Sequence, residues 1–316
     1  MIVFVFRRFL QAIVVLFIVT IIVFILVHLL PGGPARAELG VQATPTAIKS
    51  FNQQHGFDKG LLTQYRAWLR ELLRGDFGYS FKESSSVANL LKDRLPKTAL
   101  LAGVSVFIAV LIAIPLGILQ AVRRNKAIDY VATGVSFVLY STPSFWLSLI
   151  LVLAFSVKLR WWPAQAPQGS ISQVLSHPSG LILPVATIVL ISVALFSRYM
   201  RSTTMDNLTQ DYVRTARAKG AGTTRILFGH VLRNAISPIL TLLGLSLPFI
   251  LSGTLITERV FNYPGMGLLF YNAAVTQDYP VLLAVTLIVA VATVLGSVFA
   301  DVCYAIVDPR IRYARA

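Results

Sequence analysis

The chain has 316 residues, of which 56% are hydrophobic and only 13% are charged. A soluble domain carries about 25% charged residues, so this composition favours a chain embedded in a lipid bilayer. The formal net charge of +15 raises nucleic acid as a partner, but the basic residues lie between long apolar runs and form no single soluble face, which argues against it. The single cysteine, Cys303, excludes a disulfide framework and a cysteine-rich metal site.

Six apolar runs are long enough for a helix to cross the hydrocarbon core, which takes about 20 residues. They cover residues 9–30, 98–122, 131–157, 181–200, 235–256 and 280–306. The first run follows Arg7 and Arg8 and is too long for the apolar region of a signal peptide, so we interpret it as a retained span. The predicted fold class is an all-α integral membrane protein with six transmembrane helices.

Basic residues concentrate in the short loops that would share one side of the membrane with the N-terminus, notably the loop after the fourth run. Because short cytoplasmic loops are enriched in Lys and Arg, this distribution predicts that both termini are cytoplasmic. The expected organisation is the N-terminus and first span (1–30), a sizeable extracytoplasmic segment (31–97), a five-helix core (98–306) with a cytoplasmic loop (201–234), and a cytoplasmic tail (307–316).

The segment 31–97 contains apolar residues at helical spacing between Leu61 and Leu73, followed by Gly75 as a stop signal. A second short amphipathic helix is predicted to end at Pro96. Between the two, "GDFGYSF" indicates a turn that includes Asp76 and Phe77. The segment is either a packed cap on the outer membrane face or a docking surface for an external partner, and both roles are compatible.

The loop 257–279 contains "ERVFNYPGMGLLFYNA". Tyr263, Pro264 and Gly265 form a turn signal, Gly267 adds backbone freedom, and Phe261 is one of several aromatic neighbours. The loop is either an ordinary surface loop or a segment that dips back toward the membrane plane. Non-helical backbone at that depth requires burial in protein or a cavity that it lines.

The interiors of the apolar runs hold no Asp, Glu, Lys or Arg, and His28 and Asp301 lie near the ends of runs. Ion-coupled carriers usually keep ionisable groups inside the membrane, so the pattern argues against that class. The phosphate-binding pattern G-x-x-x-x-G-K-[ST] does not occur in the sequence. If ATP drives transport, another chain must bind it.

The stretch "DYVRTARAKGAGTTRILFGHVLRNA" (211–235) predicts two short helices. The first would start at Asp206 or Asn207 as N-cap and end at Gly220 in the left-handed conformation. Thr223 or Thr224 would cap the second helix, which leads into span five. Such an elbow would transmit force as a lever. The alternative is a solvated basic loop that only obeys the charge rule for topology.

Five motifs in order carry a resemblance over nearly the whole chain: "HLLPGGPAR", "GDFGYSF", "DYVRTARAKGAG" followed by "LFGHVLRNAISP", "ERVFNYPGMGLL" and "DPRIRY". The chain resembles ABC importer permeases of the peptide/nickel class, specifically the B-type subunit of dipeptide and oligopeptide permeases. The resemblance implies a coupling helix that inserts into a groove of a separate ATPase subunit. The coupling candidates are Asp211, Tyr212, Arg214, Thr215, Ala216, Lys219, Gly220 and Ala221.

The general importer pattern is Glu-Ala-Ala, three residues, then Gly. Aligned on Gly220, the first three positions are Arg214, Thr215 and Ala216, so only Ala216 and Gly220 match. Arg214 replaces the glutamate, and Arg233 with Asn234 replaces a following Leu-Pro, as in the peptide class. The resemblance therefore implies the coupling helix without the salt bridges of that glutamate.

The resemblance also implies the partners: a homologous second permease subunit, two ABC ATPase subunits that bind ATP and magnesium, an extracytoplasmic substrate-binding protein and membrane lipid. This chain would hold no catalytic, cofactor-binding or metal-binding residues and would lie in a bacterial or archaeal inner or plasma membrane. Candidates for the outer gate or for docking are Phe261, Tyr263, Pro264, Gly265, Gly267, Asp76 and Phe77.

The implied function is import of di- or oligopeptides. Nickel chelates or glutathione are alternative substrates within the same class. The competing classes are an ion-coupled secondary carrier and a membrane scaffold that transports nothing.

Overall fold

The structure is a computed structural model, and it describes residues 2–29, 35, 39 and 42–307, with the side chains of these except 2–6, 27, 237, 241, 245–253 and 299–307. The described chain is mostly helical. Its first half contains α1 (Ile2–His28), α2 (Pro45–His55), α3 (Leu61–Leu73), the strand pair β1 (Tyr79–Ser80) and β2 (Ser85–Ser86), α4 (Val87–Val122), α5 (Ala127–Ser141) and α6 (Ser144–Lys158). Its second half contains α7 (Ile171–Ser176), α8 (Ile182–Leu208), α9 (Asp211–Ala218), α10 (Thr223–Ala235), α11 (Ser237–Val260), α12 (Met266–Thr276) and α13 (Tyr279–Val307).

Within the described residues, 4 helical segments are long and apolar enough to cross a membrane: Arg7–Leu26, Val87–Val122, Pro178–Leu208 and Tyr279–Val298. Two bent pairs also pass this test together. The α5–α6 pair bends by 107°, and α10 bends by 43° against the start of α11. Counting each pair as one span raises the number to 6. The chain is therefore a mostly helical membrane protein with four to six candidate spans.

The second span begins earlier than expected, because α4 starts at Val87 and passes through Pro96 without ending. The hydroxyl of Ser86 caps its first turn by accepting a hydrogen bond of 3.4 Å from the N–H of Asn89. Val87 and Leu91 are buried in a core cluster with residues of α12 and α13. The prediction of a separate short helix that ends at Pro96 is wrong. Burial of this first part of α4 offsets the single backbone hydrogen bond that a proline removes.

The helices extend past the apolar runs and bring charged residues with them. Arg198 and Arg201 lie within α8, Asp129 within α5 and Glu258 within α11. Asp129, Arg201 and Glu258 lie just outside the apolar runs and Arg198 near the end of one, so they do not contradict the expectation that the interiors of the runs lack ionisable residues. A buried charge persists when it is paired or hydrogen-bonded. Asp129 is paired, since the guanidinium of Arg201 donates to its two carboxylate oxygens at 2.6 and 2.8 Å.

Helix α4 connects two ends of the helical core. Near one end, Leu101 packs against Tyr263 and Val174. Near the other, Ile118 packs against Met200 and Val213. At a rise of about 1.5 Å per residue these two contacts are about 26 Å apart along the helix. A displacement at one end can thus reach the other end through a single continuous helix.

The contact between α4 and α8 is close at Gly117. A Cβ atom at this position would lie 2.6 Å from Cβ of Met200 and 2.7 Å from the carbonyl oxygen of Ser197. Small residues permit such close approach of helices within membranes. Gly117 therefore fixes α4 against α8 near the end that carries α9 and α10.

Candidate functional site

The elbow, which we define as α9, the turn at Gly220 and α10, follows the C-terminus of α8. Gly220 has a φ of +78°, the left-handed conformation predicted from the sequence. Its N–H donates to the carbonyl of Arg217 at 3.0 Å, and the N–H of Ala221 donates to the carbonyl of Ala216 at 3.1 Å. These bonds satisfy carbonyl groups at the end of α9. The prediction of a glycine-terminated helix is confirmed.

The beginning of the elbow differs from the prediction. Helix α8 continues to Leu208, and α9 begins at Asp211 after Gln210. Asn207 therefore caps no helix. Its side-chain oxygen accepts a hydrogen bond of 2.6 Å from the hydroxyl of Tyr212 and so ties α9 to the end of α8. The predicted start at Asp206 or Asn207 is wrong because the helical pattern of α8 runs on past its apolar part.

The second half of the elbow also starts differently. The N-cap position of α10 is held by Gly222, without a side-chain capping bond from Thr223 or Thr224, so the predicted threonine cap is wrong. Residues Ile226–Val231 in the middle of α10 are π-helical. π-Helical turns are frequent at functional sites. Here the turn leaves Phe228 58% exposed.

The inner face of α9 is buried. Val213 and Ala216 lie in one core cluster with Ile118 of α4, Met200 of α8 and Leu227 of α10. Tyr212 and Ala221 are partly buried against the same cluster. The elbow is therefore packed onto the ends of α4 and α8, so these helices cannot shift independently of it without loss of buried contacts.

The outer face of the elbow is exposed and basic. Among the coupling candidates the structure exposes Asp211, Arg214, Thr215, Lys219 and Gly220, and places Tyr212, Ala216 and Ala221 inward. Arg214 lies 3.6 Å from the carboxylate of Asp211. Both side chains are strongly exposed, so this pair contributes little to stability. Further exposed residues on this face are Arg217, Arg225, Phe228, His230 and Arg233.

A second arrangement lies at the other end of α4, where α4, α11 and α12 meet. We call it the Glu258 joint and define it by Thr98, Glu258, Tyr263, Gly265 and Gly267. The carboxylate of Glu258 is fully buried. It accepts hydrogen bonds from the hydroxyl of Thr98 at 2.7 Å, from the N–H of Gly267 at 2.7 Å and from the N–H of Leu268 at 3.1 Å.

The joint caps the first turn of α12. Carboxylates stabilise a helix N-terminus because its backbone N–H groups lack partners within the helix. The hydroxyl of Thr98 completes the cap by accepting from the N–H of Met266 at 2.8 Å. The joint thus fastens the start of α12 to side chains from two other helices.

Tyr263 holds the turn that precedes α12. Its N–H donates to the carbonyl of Glu258 at 2.7 Å, and its hydroxyl donates to the carbonyl of Lys97 at 2.6 Å. Burial raises the pKa of the Tyr263 hydroxyl above its ordinary value, and the neighbouring Glu258 carboxylate adds to the effect. The hydroxyl therefore remains protonated and acts as a hydrogen-bond donor.

The two glycines of the joint lie where no side chain fits. A Cβ atom at Gly265 would lie 2.4 Å from the hydroxyl of Thr98 and 2.5 Å from the carboxyl carbon of Glu258. At Gly267 it would lie 2.4 Å from Cα of Leu255. The glycines therefore serve close approach and leave α12 seated directly on α4 and α11.

Most candidates for the outer gate or docking are interior residues. Phe261, Tyr263, Pro264, Gly265 and Gly267 are all buried. Because they are buried, these residues cannot contact an external partner in this structure. The loop that contains them is a folded joint, and the helix that follows it, α12, was not predicted.

The other two candidates precede the strand pair. Asp76 is exposed and accepts a hydrogen bond of 2.8 Å from the N–H of Gly78, while Phe77 is partly buried against the cluster that contains Val87. Ser80 of β1 donates a hydrogen bond to the buried carboxylate of Asp278. Asp76 is therefore the exposed member of this pair. The strand pair that follows its turn is held by the hydrogen bond from Ser80 to Asp278, directly before α13.

Sequence reasoning missed Thr98, Glu258 and the Asp129–Arg201 pair. The signal for Glu258 was its place just beyond an apolar run and four residues before the start of the "NYPGMG" turn. Acidic residues near a glycine-rich turn and a following apolar helix are candidates for capping. Thr98 carried no comparable local signal, because its partners are distant in sequence.

Comparisons with known proteins agree with this architecture. Residues 113–313 match the family described as binding-protein-dependent transport system inner membrane component, and residues 1–102 match the N-terminal family of the same systems. The oligopeptide transport system permease protein AppB of Bacillus subtilis is 39% identical over 310 residues, which cover 97% of this chain and 98% of the relative.

Two further relatives are similar at comparable levels. The oligopeptide transport system permease protein OppB of Haemophilus influenzae is 36% identical, over 98% of this chain and 99% of its own length. The glutathione transport system permease protein GsiC of Escherichia coli K12 is also 36% identical, over 98% of this chain and 99% of its own length. This chain therefore belongs to the family of binding-protein-dependent transport system inner membrane components, as a multi-pass transport subunit and not an enzyme.

Proposed function

We propose that the chain is a permease subunit of an ATP-driven importer for di- or oligopeptides, that it forms half of the translocation pathway, and that the elbow couples it to an ATPase. The observation that carries this proposal is the two-sided elbow. Its inner face is buried against the ends of α4 and α8, while its outer face is exposed and basic. Relatives named as oligopeptide permeases support the peptide substrate.

In the proposed topology the chain has six spans with both termini in the cytoplasm. The elbow then lies on the cytoplasmic side, and the Glu258 joint and the segment 31–97 lie toward the outside. The contacts of α4 support this arrangement, because Ile118 packs in the elbow cluster and Thr98 belongs to the joint. The basic outer face of the elbow agrees with the enrichment of cytoplasmic loops in Lys and Arg.

The proposed partners are a homologous second permease subunit, two ATPase subunits and an extracytoplasmic substrate-binding protein. ATP and magnesium would bind to the ATPase subunits. When ATP closes these subunits, they press on Arg214, Lys219 and the neighbouring exposed residues. Because Val213 and Ala216 pack on α4 and α8, the displacement passes into both helices. At the far end of α4 it reaches Thr98 and, through Glu258, the start of α12.

The Glu258 joint is proposed to act at the outer gate. It holds α4, α11 and α12 together through hydrogen bonds and close glycine contacts. A movement of α4 therefore shifts all three helices as a unit, which opens or closes the path between them and the second permease subunit. Asp76, on the exposed turn before β1, is proposed to contribute to docking of the binding protein.

An ion-coupled carrier remains the competing class. Such a carrier needs intramembrane ionisable groups that are free to bind and release ions. The buried carboxylates of the described helices are already engaged, Asp129 by Arg201 and Glu258 by Thr98 and backbone N–H groups. Within the importer class, the similarity to a glutathione permease supports glutathione as an alternative substrate. Nickel chelates are a second alternative.

Reconstitution tests the proposal. The chain is assembled in proteoliposomes with its second permease subunit, ATPase subunits and binding protein, and uptake of a radiolabelled tripeptide is measured. We expect accumulation that requires internal ATP and stops when the ATPase is omitted, with excess glutathione and a nickel chelate as competitors. Uptake driven by a proton or sodium gradient without ATP would contradict the proposal.

A further inference from the structure

Helix α3 is attached to the last part of the membrane-spanning helix α1. The hydroxyl groups of Tyr65 and Thr20 lie 2.8 Å apart, and the ring of Trp68 lies 5.7 Å from that of Phe24. These contacts use one face of α3. They hold the helix beside the last third of α1.

A second face of α3 is apolar and uncovered. Leu61 and Leu62 are 59% and 62% exposed, and Leu73 is 81% exposed. Exposing several large apolar side chains on one short helix is costly in water. Isolated surface leucines are ordinary, but three on one short helix beside a membrane helix indicate an apolar environment.

A groove of about 660 Å³ lies between the start of α3, α1 and α2, and Ile48 and Asn52 of α2 belong to its lining. Leu61 and Leu62 form part of one wall, and α1 contributes Phe17, Ile21, Ile25 and Leu29. Phe17 and Ile25 are about half exposed and belong to the apolar surface of the span. The groove is therefore continuous with a surface that lipid covers, and its volume is within the range of small-ligand sites, about 300–1,000 Å³.

Basic residues lie on the side of α3 that carries Leu62 and Leu73. Arg66, Arg70 and Arg74 follow one another at intervals of four residues, which places them in one row on the helix. All three are exposed. Leu62 precedes Arg66 by four residues, so the first arginine lies next to the groove. Arg74 also contacts Glu71 at 3.5 Å, which leaves Arg66 and Arg70 as the main basic groups of the row.

We propose that the groove between α1 and α3 binds an anionic phospholipid. One acyl chain lies in the groove against Leu62 and Ile25, and the phosphate is bound by Arg66 and Arg70. Planar guanidinium groups suit phosphate because they donate two parallel hydrogen bonds. The methylene groups of the arginines pack beside the exposed leucines of α3, while their charged ends reach the headgroup. The bound lipid thereby fixes α3 on the membrane surface.

The headgroup is tested by lipid retention. The full-length chain is purified from membranes, exchanged into detergent that contains equal amounts of phosphatidylglycerol and phosphatidylcholine, and analysed by native mass spectrometry. A basic side chain at an anionic membrane surface favours binding by about fivefold. We expect Arg66→Gln and Arg70→Gln each to lower phosphatidylglycerol retention by about that factor. Lys158→Gln at the end of α6, which removes an exposed positive charge outside the groove, should leave it unchanged.

The groove is tested with a fluorescent label. Cysteine is introduced at Leu62, or at the exposed Ala67 on another face of α3 as a matched control, in a Cys303→Ser background. In nanodiscs of brominated phospholipid we expect quenching of the label at position 62 and little quenching at position 67. Arg66→Lys keeps the charge but loses the planar fork of donors, so its phosphatidylglycerol retention should lie between those of Arg66→Gln and the parent chain.

Three results would overturn the proposal. The first is equal phosphatidylglycerol retention in the glutamine variants and the parent chain. The second is quenching at position 62 by a water-soluble quencher alone. The third is protection of the label at position 62 from quenching only when the binding protein is added, which would assign the exposed leucines of α3 to a protein partner.

Discussion

Glu258 and Gly267 are joined by a hydrogen bond of 2.7 Å from the backbone N–H of the glycine to Oε2 of the carboxylate. The same carboxylate accepts from Thr98, 160 residues earlier in the chain. One buried side chain thus connects the helix that it belongs to, the helix that follows and a helix from the first half of the protein. The predictions for this end of the molecule depend on that connection.

Replacement of Glu258 should destabilise the joint. Glu258→Ala leaves the N–H groups of Gly267 and Leu268 and the hydroxyl of Thr98 without their acceptor. A buried donor that loses its partner costs about 1–3 kcal/mol. We expect the midpoint of thermal unfolding of the purified chain in detergent to fall by several degrees.

Two further variants separate this effect from a general loss of charge. Glu258→Gln keeps the shape and one acceptor oxygen, so its midpoint should lie between those of the alanine variant and the parent. Arg259→Gln removes the neighbouring charge, which lies on the surface 4.6 Å from the ring of Tyr271, and should change the midpoint little. Equal midpoints for Glu258→Ala and Arg259→Gln would contradict the structural role of the carboxylate.

The glycines of the joint should tolerate no side chain. Gly265→Ala places a methyl group 2.4 Å from the hydroxyl of Thr98. Overpacking of this kind costs about 1–3 kcal/mol, and here it also displaces Glu258. We expect a large loss of folded protein, measured as the monodisperse fraction in gel filtration. Gly103→Ala on α4, where a Cβ atom meets nothing within 4 Å, is the matched control and should behave as the parent. Normal yield of the Gly265→Ala protein would show that α12 does not sit as closely on α4.

The Asp129–Arg201 pair should stabilise the contact of α5 with α8. Asp129 is 2% exposed and Arg201 is 25% exposed, so removal of the carboxylate leaves a partly buried charge without its partner. Breaking a buried pair costs about 3–5 kcal/mol, and the exposure of Arg201 places this pair at or below the lower limit. We expect Asp129→Asn to lower the thermal midpoint clearly.

Two comparisons make this prediction specific. The double variant Asp129→Asn with Arg201→Gln should recover part of the loss, because it removes the unpaired charge. Arg198→Gln removes contacts of the guanidinium with the rings of Phe137 at 4.5 Å and Tyr140 at 5.4 Å, each worth about 0.5–1 kcal/mol at an exposed site. Additive losses in the double variant would show that the two residues act independently.

Gly220 and Gly222 offer a matched pair for the elbow. A Cβ atom meets nothing within 4 Å at either position, but only Gly220 has a positive φ, of +78°. The left-handed conformation costs an L-residue about 1–2 kcal/mol. We expect Gly220→Ala to reduce ATP-dependent uptake with the complex intact, Gly220→Asn to be milder, and Gly222→Ala to be nearly neutral. Identical uptake by Gly220→Ala and Gly222→Ala would mean that the turn does not set the angle of the elbow.

The membrane helices were predictable because a run of about 20 apolar residues is itself the signal for a span. The end of α9 was also predictable, since a glycine after a basic last turn acts locally. The far ends of the helices were not. Arg201 can extend α8 because Asp129 pairs with it, and that contact joins residues 72 positions apart. Propensity and periodicity carry no information about such a partner.

In the candidate site, too, the features with a local signal were predictable, and those set by distant contacts were not. Arg214 and Lys219 were predicted in a basic loop and are exposed, whereas the inward direction of Ala216 depends on packing against α4 and α8. The "NYPGMG" turn was recognised, but its role was not. Its depth is set by Thr98 and Glu258, which the turn signal alone does not reveal.

The most direct test of the proposed function is a cross-link from the elbow to the ATPase. In a Cys303→Ser background, cysteine is placed at Lys219 on the outer face of the elbow or, as a control, at the exposed Lys82 near the strand pair at the other end of the molecule. The assembled importer is treated in native membranes with a short bifunctional thiol reagent, with and without ATP. We predict an ATPase cross-link from position 219 whose yield changes with ATP, and none from position 82. Full peptide uptake without any cross-link from position 219, or a cross-link only from position 82, would contradict the assignment of the elbow as the coupling site.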